Sequence, residues 1–78
     1  MSTVRAYEEI VDFLAAGTTP GTLVAFRPSQ RTRTRVADLI DREKTSSLSL
    51  EERSELDHYL QLEHLMRLAK ARARRLLT

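Results

Sequence analysis

From Ser49 to Thr78 the chain contains neither glycine nor proline, and its start carries the S-x-x-E pair Ser49 and Glu52. That pair is a capping box: the serine side chain accepts from the third helical N–H while the glutamate reaches back to the serine N–H. The segment therefore predicts one helix over residues 50–77, about 42 Å long at 1.5 Å per residue. A compact chain of 78 residues has a radius of gyration of about 11 to 12 Å and a diameter near 30 Å. The helix is longer than the globule that would enclose it, so its own chain is not expected to cover it completely.

The remaining residues are punctuated for short helices. Val4, Tyr7, Val11 and Leu14 recur at spacings of three and four with Ile10 beside them, one stripe of a helix over about 3–16. Ser2 or Thr3 is expected to cap it, and Gly17 to end it by taking the left-handed conformation. Thr19 followed by Pro20 marks a cap and a first helical position for a helix over about 20–26. Pro28 breaks the chain again, and Ser29 opens a third helix over about 29–44 carrying Val36, Leu39 and Ile40. The expected fold is all-α, a single domain over residues 1–78 with four helices and a long C-terminal one.

On the long helix, Tyr59, Leu62, Met66, Ala69, Ala73 and Leu76 form a seam with spacings of 3, 4, 3, 4 and 3, the pattern of packed helical pairs. Leu56, Leu60 and Leu77 flank it on one side and Leu65 widens it on the other. An arc that wide exceeds what one neighbouring helix covers, and a domain under about 80 residues gains only about 3 to 5 kcal/mol from its own core. A helical-bundle homodimer through the seam is the economical expectation. Its small residues Ala69 and Ala73 would permit close approach of helix axes, although alanine also serves helix propensity alone.

The formal charge of +2 is the remainder of four blocks: −2 over 1–26, +3 over 27–44, −4 over 45–63 and +5 over 64–78. Acids first and bases last along the long helix is what the helix macrodipole favours. The alternative is a charged partner surface, with Arg67, Lys70 and Arg74 at i, i+3 and i+7 on that helix and Arg31 and Arg35 on the third. Nucleic acid is a possible but less favoured partner: the basic segment interleaves alanine and leucine, both Phe and both Tyr lie outside it, and the chain contains no asparagine. Bases would lack a stacking platform and base edges a preferred reader.

Little points to catalysis. There is no cysteine, hence no disulfide framework, thiolate nucleophile or thiolate metal site, which agrees with a reducing cytoplasm. The opening MSTVRAYEEIVDF places two acids before any long apolar run, so a secretory signal is not expected, nor is a membrane span. His58 and His64 are six residues apart, about 240° around a helix, and cannot share a metal. Glu55 and His58 form one E-x-x-H pair, but carboxylate-bridged di-metal bundles need two such motifs and further inward glutamates. No phosphate-binding glycine loop or nucleophile elbow occurs, and no cofactor is expected. The chain is read as non-enzymatic.

The stretches EEIVDFLAAGTTP, AFRPS, RVADLIDREKT and, most specifically, ELDHYLQLEHLMRLAKARAR from Glu55 to Arg74 resemble a family of short, largely uncharacterised bacterial proteins. The resemblance spans residues 8–78. It implies an antitoxin-like or accessory protein encoded in a small gene pair, at times beside a nuclease of the HNH type, and it brings no catalytic residues. The family tends to place acids after AFRPS, where this chain has Gln30, Arg31, Thr32 and Arg33. Together with the seam, the expectation is a cytoplasmic protein-interaction module that is a homodimer, with a nucleic-acid-binding or autoregulatory protein as the alternative.

Overall fold

The computed structural model describes residues 5–78 and contains four helices, α1 (Glu8–Ala15), α2 (Pro20–Ala25), α3 (Gln30–Thr45) and α4 (Leu50–Leu77), with no strand among the described residues. The all-α expectation is met, and α4 has the limits that its capping box set. Ser49 Oγ accepts from the Glu52 N–H at 3.1 Å and the Glu52 carboxylate accepts from the Ser49 N–H at the same distance. In α2 the same reciprocal arrangement joins Thr19 and Thr22 behind Pro20. Ser29 caps α3 by accepting from the Thr32 N–H at 3.2 Å.

Helix α1 departs from the expected 3–16. It begins at Glu8, with Ala6 and Tyr7 in a preceding turn, and it ends before Gly17, whose φ of +91° is the left-handed conformation. The proposed caps Ser2 and Thr3, and Val4 of the stripe, lie outside the described residues. The late start has a tertiary cause. A helix begun at residue 3 would return the Ala6 N–H to its own first turn, whereas here that N–H donates to Glu55 on α4 at 3.0 Å.

Glu55 is the polar centre of the fold. Its buried carboxylate accepts from Arg35 Nε at 3.0 Å and Nη2 at 2.9 Å, a bidentate pair across α3 and α4, as well as from Ala6. Three segments distant in sequence thus meet at one side chain, and every oxygen of it has a donor. Nearer the α3–α4 turn, Arg42 bonds Glu52 and Arg53 bonds Glu43 at 3.0 Å. Glu9 of α1 accepts from the Ser29 N–H at 2.8 Å, fixing α1 against the start of α3.

Around these polar ties lies an apolar core of Ala6, Ile10, Val36, Leu39, Leu48, Leu56, Tyr59 and Met66, with Ile10 and Leu39 fully buried. α3 packs on the N-terminal half of α4, and α2 is the principal neighbour of α4. The molecule measures 45 × 28 × 19 Å with a radius of gyration of 14.0 Å, against about 11.5 Å for a compact chain of its length. The long axis matches the length of α4.

The charged ties have consequences for stability. Arg42 holds the Glu52 carboxyl down to about 2, and Arg35 with the Ala6 N–H holds Glu55 below its ordinary value. A carboxylate depressed in the folded state stabilises above its unfolded value, about 4.3 for glutamate, and loses that contribution as the pH falls through the folded value. Stability is therefore expected to decline from about pH 4.5 toward pH 2, and the double variant Glu52→Gln with Glu55→Gln should flatten that decline in urea titrations at successive pH values. Glu55→Ala, which strands Arg35 and the Ala6 N–H, should cost about 2 to 3 kcal/mol at neutral pH in the same measurement.

Candidate interaction surface

The seam expected to meet a second chain is largely occupied within one chain. Tyr59, Met66 and Ala73 are buried, Ala73 being only 2% exposed, while Leu62 and Ala69 are half-buried and Leu76 is 69% exposed. This corrects the expectation for Tyr59, Met66 and Ala73, which are spent on the protein's own core or on the groove against α2. Residue spacing along one helix marks an apolar face without saying which neighbour covers it. Leu62, Ala69 and Leu76 keep accessible surface.

What remains exposed lies on the flank. Leu65 is 52% and Leu68 58% exposed, and Leu60 and Leu77 are exposed as well. Leu68 was not part of the expected interface; its i,i+3 relation to Leu65 was the available signal. A shallow groove of about 270 Å3 adjoins this surface, lined by Thr18, Thr19, Pro20 and Leu23 on one wall and Ala69, Arg72, Ala73 and Leu76 on the other. Tyr7 stacks against His58 with ring centroids 5.1 Å apart, and Thr18 reaches the level of Ala69 and Arg72. Helix α1 consequently runs in the same direction as α4, and Val11 and Leu14 are exposed on it.

The expected charged surface divides into used and unused residues. Arg35 is committed to Glu55, and Arg67 pairs with Glu63 at 2.6 Å. Lys70 is half-buried; its Nζ donates to the Phe26 carbonyl at the end of α2 and lies 5.8 Å from the Phe26 ring centroid. Phe13 stacks on that ring at 4.3 Å. Lys70 thus caps a helix C-terminus, where a cation is favoured, rather than offering its charge outward. Arg74 is exposed and, like Arg72 and Arg75, has no acidic partner within 4.0 Å among the described residues. Arg31 lies in a separate cleft of about 290 Å3 with Arg5, Glu9, Asp12 and Ser29, walls of mixed sign.

No family model, curated protein or solved structure matches the chain. Glu55 of the E-x-x-H pair has its oxygens filled by Arg35 and Ala6, and His58 Nδ1 sits 2.7 Å from the Ser54 carbonyl. Glu55 is thus committed within the fold, and His58 Nδ1 is held by its own helix. Among the described residues no helix is long and apolar enough to cross a membrane.

Inner and outer sides of α4 should answer differently to substitution. Ala73→Glu forces a charge beneath α2 and is expected to lower stability by about 1 to 3 kcal/mol. Leu68→Lys, on the outer side, should change the stability of the isolated chain by no more than about 0.5 kcal/mol. Chemical denaturation at micromolar concentration compares the two directly.

Proposed function

We propose that the protein is a non-enzymatic protein-interaction module, a homodimeric antitoxin-like or accessory partner of another bacterial protein in the cytoplasm. The observation that carries this reading is the exposed side of α4, where Leu65, Leu68 and Leu76 stand beside Arg72 and Arg75. Leucines clustered with arginines on a rigid helix, next to a shallow groove, suit recognition of a protein surface: the apolar groups supply desolvation and the guanidinium groups orientation. The sequence resemblance to small gene-pair proteins supports the accessory role and the bacterial origin.

The direct test is to express the adjacent gene alone and together with this one. Growth arrest relieved by co-expression, with a complex that co-purifies, is the expected result. Equal growth in both cases with no complex would remove the antitoxin-like reading.

A second reading rests on Arg72, Arg74 and Arg75, which lack acidic partners among the described residues: the basic end would meet phosphates of a nucleic acid, as an autoregulatory protein requires. Three phosphate contacts give a slope of about −3 in log affinity against log salt on duplex DNA. Titration at two salt concentrations checks it, and absence of binding at low salt would discard it.

A further inference from the structure

The solvent-exposed surface is 5850 Å2, whereas a folded monomer of 9.0 kDa exposes about 4,850 Å2. The excess of about 1,000 Å2 is close to the roughly 800 Å2 that each partner contributes to a standard protein interface. The excess belongs to the elongated shape as a whole, 45 × 28 × 19 Å, and the exposed side of α4 is the part whose chemistry is ordered along one helix.

At 100° per residue, Glu51, Asp57, Leu65, Leu68, Arg72 and Leu76 fall within a sector of about 120°, and all six are exposed. Along the helix they run from Glu51 and Asp57 through Leu65 and Leu68 to Arg72 and Leu76, with the exposed Ser54, His58 and Gln61 in the same sector. Glu51 and Asp57 form no ion pair among the described residues, and neither does Arg72. The same polarity holds for the molecule at large. Residues 38–57, the α3–α4 turn with its flanking helix, hold seven acids against three bases, while residues 64–78 hold five bases and no acid. These two regions belong to opposite ends of a particle 45 Å long.

Resting on the homodimeric reading above, we infer that the occupant of this face is a second copy of the chain, packed antiparallel with a two-fold axis crossing the middle of α4 near His64. A two-fold contact presents the same patch to itself. With the axis there, Leu65 of one copy lies within one helical turn of Leu65 of the other, and Leu68 comes level with residues 59 and 60 of the other copy, beside the exposed Gln61 and His58. Arg72 comes level with residue 55 of the partner, between Glu51 and Asp57, so unpaired cations meet unpaired anions twice. A parallel pair would instead set five bases against five bases, a like-charge juxtaposition that the antiparallel pair avoids. The buried side of α4 stays within each chain, and the dimer closes without rearranging the core.

Because the chain has no cysteine, a single Thr78→Cys variant carries one nitroxide label at the end of α4. Electron–electron dipolar spectroscopy at several hundred micromolar then reads the distance between two copies. The antiparallel dimer places the labels about 45 Å apart, twice the run from the axis to residue 78 at 1.5 Å per residue, and the signal should vanish when Leu65→Lys and Leu68→Lys are added with circular dichroism unchanged. Arg72→Glu in the same background should weaken the dimer at least five-fold. A distance under about 20 Å, as side-by-side helix ends require, would overturn the antiparallel arrangement while leaving a homodimer in place. The long distance surviving the two lysines would overturn the assigned face. Absence of any dipolar modulation would overturn this inference and the homodimeric reading together.

Discussion

A helix of 28 residues in a chain of 78 sets the terms for everything packed around it. Its length fixes the long axis of the molecule, so the other three helices can only be distributed along it. They divide the work. α3 returns along the N-terminal half and is held by arginine–glutamate pairs as much as by apolar contact, whereas α2 sits on the C-terminal half over alanines and leucines, with Lys70 closing its last turn. The turn before α1 and the start of α2 border the outer sector, at His58 and at Arg72 with Leu76, and between them Leu65 and Leu68 stay exposed.

Within the covered half, Glu55 does what a larger core would otherwise do. A buried carboxylate without donors would be strongly destabilising; here two guanidinium nitrogens and the Ala6 N–H satisfy it, so its burial ties the entry of α1 to α3 and α4 at once. Such a site contributes specificity of arrangement more than net stability, since no other position offers the same three donors. It also commits Arg35 and Glu55, two residues that could otherwise be taken for partner-binding or ligating groups, to holding the chain together.

The helices were legible because their ends are written locally. Ser49 with Glu52, Thr19 with Pro20, and Ser29 after Pro28 each act within one turn, and the observed limits of α2, α3 and α4 agree with them to within a residue or so. The start of α1 was not legible, because it depends on an N–H drawn to a carboxylate 49 residues away. The same limitation divided the seam. Periodicity found the apolar arc containing Met66 and Ala73, but which side of that arc the chain keeps for itself depends on where α2 docks. Leu68 escaped notice for the complementary reason: its importance comes from the absence of a neighbour. Charges behaved likewise, with Arg35 and Lys70 indistinguishable in sequence from Arg72 until their partners on other segments were known.

On the proposed reading, a chain that covers one side of its longest helix and leaves leucines and unpaired charges on the other is half of an association surface. Its molar mass in solution, followed by equilibrium sedimentation from low micromolar to several hundred micromolar, tests that claim most directly. Mass rising to twice the 9.0 kDa of one chain, and falling back when salt is raised, is the expected result. A mass of 9.0 kDa at every concentration, with the outer face of α4 left to water, would contradict it.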